Sequence, residues 1–482
     1  MRTAYLFAVF ANRGIALLCL LALSHLLPID QFGVYALMGT NALLIETIFG
    51  SWLATAATRQ LSIHGLDEQS HDLARIAILM AGIAFIEVAL LMVTGAYMAL
   101  AQGQALWPSL ILIAAWSISM LFFDVTLAIK NAIGNDNGYL RVSLVRNLTA
   151  AMLSVLLVLA KFGPFGAVAG QIIGIIISLT ASSSTFKLWR PILLVLRSSI
   201  PSLSFINEML KFGFAGTLAL GLFVLVNGIV RNGILVSSGQ SAAGIFSLVS
   251  DLFFAPMTLF GTAYSLSKMR SMYQLQSAPL EFRLKEHRRF LATIGFLCVP
   301  YAVGGYWLAP DIAELILASE TSREAAAIAG LSAFQSAIFS LLFAQITILL
   351  TMGEKRKVIW VALATLICYG IATKIASDFA TLPAFMLAST LAAVIANFIA
   401  VAYVGLPSLP LRSYALTMLA TSIMGLVLWL LSGLSFPGAV IVSVVVGGGS
   451  YLIAALVLKP IEWQELFPWF APAPDSHTIA EV

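Results

Sequence analysis

Residues 4–27 read AYLFAVFANRGIALLCLLALSHLL, an apolar run broken near its middle by Asn12 and Arg13. About 20 such residues cross a hydrocarbon core of roughly 30 Å as a helix. Nothing in the run alternates with the period of two expected of a barrel strand. It is also too long for a signal-peptide core and has no small-residue cleavage site after it, so it is expected to persist as a helix. The rest of the 482 residues follow suit: 60% are hydrophobic and only 10% charged, with a mean hydropathy of +0.98. Soluble domains carry about 25% charged residues. This composition specifies an integral membrane protein.

Apolar runs of spanning length recur fourteen times, over residues 4–27, 33–56, 73–100, 107–129, 141–161, 166–186, 209–236, 241–266, 290–308, 325–350, 358–377, 382–404, 413–432 and 438–458. The expected fold is therefore all-α. With the amino terminus placed in the cytoplasm, 20 of the 26 Lys and Arg fall on the inner side, three (Lys161, Arg323, Lys374) fall outside, and three (Arg13, Arg146, Arg231) lie within spans. One miscounted helix would invert every later loop and erase that bias, so both termini are expected in the cytoplasm. The net charge of +4 is then a topology signal and a contact for anionic lipid heads, with no message of nucleic-acid binding. Cys19, Cys298 and Cys368 lie within spans and read as packing residues. His64 and His71 share an inner loop with Asp67, Glu68 and Asp72, but without metal-ligand spacing, and read as solvated. No GxxxxGK[ST] loop offers a nucleotide site, and no cofactor or metal is expected.

Two short segments suggest a duplication. Gly33-Val34-Tyr35-Ala36-Leu37 opens the second span and Gly244-Ile245-Phe246-Ser247-Leu248 the eighth, each after a short outer loop. The offset of 211 residues is six spans, which gives halves of like orientation, parallel repeats about an axis along the membrane normal. The expected organisation is a six-helix bundle over 1–186, an inner linker over 187–208, a second six-helix bundle over 209–404, an appended hairpin over 413–458 and a tail over 459–482. Gly166, Gly170 and Gly174 mark close helix packing, whereas Gly447-Gly448-Gly449 is expected to interrupt the last span.

A charge near the bilayer centre costs roughly 2.5 to 3.5 kcal/mol for Arg unless it faces a cavity or a partner. Seven ionisable residues fall in spans: Arg13, Glu46, Glu87, Asp124, Arg146, Arg231 and Asp251. The guanidinium fork matches phosphate oxygens and stays charged in any environment, and Asn12, Asn227 and Asn232 supply donors beside two of the arginines. Arg13, Arg146 and Arg231, with Asn12 and Asn227, are thus candidates for binding an anionic substrate. A desolvated carboxylate needs a partner, a cavity or a proton, which makes Glu46, Glu87 and Asp251 candidates for ion coupling. Asp124, six residues from Lys130, is expected near the inner interface. The blander alternative is a set of buried ion pairs, such as Arg13 with Glu46, that only lock packing.

The stretch Leu26-Leu27-Pro28-Ile29-Asp30-Gln31-Phe32-Gly33-Val34-Tyr35-Ala36-Leu37 is similar to the link between the first two helices of the polysaccharide transporter family. These are the Wzx-type oligosaccharidyl-lipid flippases of the multidrug/oligosaccharidyl-lipid/polysaccharide (MOP) superfamily. Val230-Arg231-Asn232-Gly233 through Leu248 echoes the stretch in the second half. The resemblance implies two bundles around a cationic cavity that opens alternately to either side of a bacterial inner membrane. The implied cargo is a polyprenyl-pyrophosphate-linked oligosaccharide, moved from the cytoplasmic to the periplasmic leaflet for exopolysaccharide, capsule or O-antigen assembly. The implied partners are that lipid-linked substrate, membrane lipids, and a polysaccharide polymerase with its export machinery. Arg13 matches the cationic lumen of this branch. Two alternatives stand beside it: a cation-coupled multidrug antiporter of the same superfamily, and a membrane polysaccharide polymerase or glycosyltransferase, against which the short outer loops argue. The flippase reading makes the protein a carrier, not an enzyme.

Overall fold

The computed structural model describes residues 2–63, 66–102, 107–132, 136–181, 201–274, 279–317, 319–405, 409–433 and 438–461. Every regular element among them is helical. Helix α1 (Arg2–Leu26) stops just before Pro28, whose extended backbone (φ −52°, ψ 148°) starts α2 (Ile29–Phe49). Proline cannot continue a helix and disfavours helical geometry in the residue before it. At Gly50 the chain bends into α3 (Ser51–Ile63) without turning back, and Gly50 N still donates to Glu46 O at 2.6 Å. Then come α4 (Leu66–Gln102), α5 (Trp107–Ala132), α6 (Asp136–Leu157) and, after a turn at Lys161 (φ 67°), α7 (Gly163–Thr180).

The second half opens with α8 (Leu203–Gln274), where Ser202 Oγ accepts the Phe205 amide at 3.2 Å, a side-chain cap of the usual kind. Within α8, Gly239 has φ 85°, a conformation open to a residue without Cβ. Arg231 and Asp251, about 30 Å apart along a straight helix, are in contact across it, so the chain reverses there and α8 has two antiparallel arms. Helices α9 (Leu280–Ile316), α10 (Ser319–Thr351), α11 (Lys355–Phe379), α12 (Leu382–Val404), α13 (Leu411–Leu431) and α14 (Ala439–Leu458) complete the chain.

Among the described residues eleven runs are long and apolar enough to cross a membrane, and Ala11–Leu26 forms a shorter apolar helix. Two of the eleven, Asn137–Thr180 and Gly221–Met257, contain the reversals at Lys161 and Gly239. The result is fourteen passes of an all-α integral membrane fold. Several helices begin before the apolar window does: α2 at Ile29, α8 at Leu203 and α9 at Leu280. Hydropathy marks the part of a helix that meets lipid, and the polar turns beyond it are helical too. Helix α14 runs unbroken through Gly447-Gly448-Gly449, with Gly447 packed on Leu428, so these glycines do not interrupt it. The inner loop read as solvated holds a buried Asp72, paired with Arg75 at 3.1 Å and bonded by Gln60 at 3.3 Å. Most of the expected linker (187–200) and tail (462–482) lies outside the described residues.

The seam between the halves runs along α8, which packs against α1, α2 and α3. At one end of the seam the two copies of the repeated motif meet. A Cβ on Gly33 would collide with the Gln240 carbonyl, and one on Gly244 would lie 2.5 Å from Ile29 O and 3.1 Å from Gly33 Cα. Helix backbones touch there because neither residue carries a side chain. At the same end His25 Nε2 donates to Ile316 O at 2.9 Å. Helices α13 and α14 pack on α9, where Tyr451 Oη donates to Phe296 O at 2.7 Å.

Candidate functional site

Arg13 is exposed although it lies midway along α1. Beside it, Asn12 Nδ2 donates to Ser143 Oγ of α6 at 2.6 Å, which fixes the facing of α1 and α6. The electrostatic neighbours of Arg13 are Tyr139 and Arg146, both of α6. Arg146 lies across one face of α5. Its Cζ sits 5.1 Å from the centre of the Phe123 ring, Nη2 approaches Met120 Sδ at 3.2 Å, and Nη1 donates to Asn147 Oδ1 at 3.1 Å. Its Nε has no acceptor. Among the described residues no carboxylate lies within ion-pair distance of Arg13 or Arg146, and Asp124, a turn along α5 from Met120, acts on Arg146 from further away. Two guanidinium groups thus share one region of the first half without direct charge neutralisation.

Tyr35, from the repeated motif, joins this region to the second half. Its ring stacks on Trp116 with centroids 6.2 Å apart, and its electrostatic neighbours include both Arg146 and Asp251. Trp116 packs against Gly39, and its Nε1 is buried without an acceptor. Across the seam, Arg231 Nη2 is ion-paired with Asp251 Oδ1 while Nη1 donates to Thr40 Oγ1 at 2.9 Å. Next to it Asn232 Nδ2 donates to Asn41 Oδ1 at 3.0 Å. Thr40 and Asn41 belong to α2, so this polar clasp ties the first half to both arms of α8.

The acids divide into two groups. Asp251 is spent on Arg231. Glu46 of α2, Glu87 of α4 and Asp124 of α5 form a cluster inside the first half. Glu46 is 3% exposed and, among the described residues, no side chain donates to it; Oε1 is buried and unpartnered. Glu87 is fully buried, with Ser117 Oγ donating to Oε2 at 2.9 Å and Oε1 unpartnered.

The expected site residues are therefore distributed unevenly. Arg13, Arg146 and Asn12 come together. Arg231 and Asp251, expected as a substrate cation and a coupling acid, neutralise each other. Asn227 lies elsewhere, at a small void of about 10 Å³ within the second half beside Ser250, Ser332, Gln335 and Tyr369, and its amide donates to Phe223 O at 2.9 Å. Asp124 has Arg146 and Glu46 among its electrostatic neighbours. Sequence reasoning missed Tyr35, Trp116 and Tyr139, uncharged residues that stand out only by their neighbours.

No protein-family model matches the chain, and no curated protein matches it. Solved structures do. The fold is similar to that of the lipid II flippase MurJ in an inward closed conformation, with a TM-score of 0.72 and 15% identity over 94% of this chain and 98% of that one. It is also similar to the Vibrio cholerae MATE transporter VcmN, with a TM-score of 0.57 and 13% identity over 84% of this chain and 94% of that one. An inward-facing multidrug resistance MATE family transporter of the MOP superfamily gives a TM-score of 0.52 and 13% identity over the same shares. At these identities the likeness is one of fold, and the chain has the fold these transporters share.

Proposed function

We propose that this protein is a flippase for a polyprenyl-pyrophosphate-linked oligosaccharide, moving it from the cytoplasmic to the periplasmic leaflet of a bacterial inner membrane for exopolysaccharide, capsule or O-antigen assembly. The observation that carries the reading is the pair of an exposed Arg13 and a part-buried Arg146, with no carboxylate in contact with either among the described residues. An unneutralised cation pair within a membrane fold is costly on its own and becomes favourable when a doubly charged anion fills it. The flippase neighbour also covers 94% of the chain against 84% for the multidrug transporters. In this reading the cytoplasm holds both termini, and the seam end at Gly33, His25 and Gly244 faces the periplasm. Alternating access proceeds by rocking the halves along α8.

The buried, donor-poor Glu46 and Glu87 favour a second reading, a cation-coupled exporter, in which these acids bind the driving ion. The discriminating experiment measures flipping of a lipid-linked oligosaccharide in reconstituted vesicles. Arg13→Ala is expected to lower the rate at least tenfold, Arg13→Lys to keep part of it because charge survives while the fork is lost, and Arg356→Ala to behave as wild type. Normal flipping by Arg13→Ala would refute the assignment. Export of a fluorescent cation without flipping would install the second reading in its place.

A further inference from the structure

Three uncharged side chains touch the Arg146 guanidinium. The Phe123 ring lies under its face, 5.1 Å from Cζ to the ring centre. Asn147 Oδ1 accepts from Nη1 at 3.1 Å, and Met120 Sδ stands 3.2 Å from Nη2. Nε is buried and has no acceptor among the described residues. Nε and Nη2 together form the side edge of the fork, a pair of parallel donors that grips two oxygens of one carboxylate or phosphate. In Arg146 that edge is half vacant and half held by a thioether, which is a weak acceptor.

The sequence builds this arrangement from one face of α5. Trp116, Met120 and Phe123 follow one another at intervals of four and three residues, so they stand in a row along that helix. Trp116 fixes the row against α2: a Cβ on Gly39 would lie 2.8 Å from its Cη2, and Tyr35 stacks on its ring. Arg146 comes from α6, whose facing is set by the bond from Asn12 to Ser143. Phe123 and Met120 are both buried, but they differ in stiffness. A phenyl ring is a rigid plate, whereas methionine is unbranched, with three rotatable bonds and a polarizable sulfur, and adapts to changed surroundings. The guanidinium therefore rests on a fixed base, and its donor edge is closed by the most adaptable side chain in contact with it.

We propose that Met120 is a displaceable cover on Arg146: a phosphate-type anion takes the Nε and Nη2 edge, the thioether leaves it, and Phe123 keeps the guanidinium plane in place. The inference rests on the substrate reading above and states how the anion is received. Two charge-assisted bonds replace one contact with a neutral sulfur, an exchange that favours the bound state. A guanidinium already stacked on a ring has less freedom left to lose when the anion arrives. Met120 and Phe123 are positioning residues, since both act through Arg146. A stronger acceptor at position 120 would hold the edge against the anion, and a side chain without an acceptor would release it. The identity of residue 120 thereby tunes the affinity of the site.

The test is NMR of the detergent-solubilised full chain with isotope-labelled methionine methyl groups, the Met120 signal being the one lost in Met120→Leu or Met120→Ile. Farnesyl pyrophosphate is the probe, inorganic pyrophosphate the headgroup alone and farnesol the tail alone. In the wild-type chain the Met120 methyl is expected to move with farnesyl pyrophosphate, in step with the binding measured by calorimetry, and to stay in place with farnesol. A response to inorganic pyrophosphate at the same concentrations would make a free anion the source, and a response only to the farnesyl probe a lipid-linked one; the cover stands in both cases. Met120→Leu should bind the probe about two- to fivefold more tightly and Met120→Gln about two- to fivefold more weakly, the size of one neutral contact removed or strengthened. Phe123→Leu should weaken binding about threefold to tenfold, with Phe123→Tyr close to wild type. Binding of the probe with an unmoved Met120 methyl would overturn the inference and leave the substrate reading standing. Equal affinities of the Met120→Leu and Met120→Gln variants, or equal movement with farnesol, would do the same. Failure of the wild-type chain to bind farnesyl pyrophosphate would remove the substrate reading and the cover with it.

Discussion

Replacing Asp251 with Asn removes one partner of the polar clasp and leaves the other in place. The Arg231 side chain is 8% accessible and that of Asp251 is 37% accessible. Removing one partner of a fully buried pair costs about 3 to 5 kcal/mol, whereas an exposed pair contributes about 0.2 to 1 kcal/mol. With one buried and one part-exposed member, Asp251→Asn should cost about 2 kcal/mol, since Arg231 retains only Thr40 and a weaker amide acceptor. Arg231→Met should cost less, about 1 kcal/mol, because the stranded Asp251 can take up water from its accessible side. The double variant should therefore fall short of the sum by about 1 to 2 kcal/mol, the coupling expected of residues in contact. Reversible unfolding in mixed micelles of dodecylmaltoside and dodecylsulfate gives all four corners of the cycle. Additivity to within about 0.5 kcal/mol would show that the pair contributes nothing as a pair. A larger loss from Arg231→Met than from Asp251→Asn would show that the burial argument has the wrong partner stranded.

Two further predictions concern packing and the acid cluster. Gly244→Val places its Cβ against Ile29 O and the Gly33 backbone, so the seam must open at that end; cross-linking between cysteines placed at His25 and Ile316, efficient in the parent, should fall severalfold. Glu46→Gln should leave thermal stability in detergent unchanged or slightly raised, because the buried Oε1 has no partner to lose and an amide carries no charge to desolvate; a marked loss would mean that the Glu46 carboxylate is paired.

Helix number was legible because each pass must carry its own apolar stretch, and turns such as Pro28 and Gly239 separate them. Arg13 stood out for a related reason: a guanidinium midway along an apolar run has few places to go. What sequence distance obscured was pairing across the reversal. Arg231 lies eight residues before Gly239 and Asp251 twelve after it, so the two share a depth to within about 6 Å. Reading the pair as a hairpin would have joined them. The burial of Lys130, 1% exposed, was not legible either, since a lysine at the end of an apolar run reads as a solvent-facing residue. Tyr35 and Trp116 carry no charge to flag them, and their place beside Arg146 and Asp251 follows only from how α2, α5 and α8 cross.

The contact of Gly33 with Gly244 has a mechanical consequence. Two helix backbones that touch where the repeats meet form a pivot of very short radius, and motion about a pivot is small near it and large far from it. A rocking of about 10° around that point would shift its immediate neighbours by a fraction of an ångström. The far ends of the same helices, roughly 30 Å away, would move by roughly 5 Å. On the flippase reading the bare glycine surface would act as a bearing, and the length of the helices would be the lever that turns a slight roll into a passage.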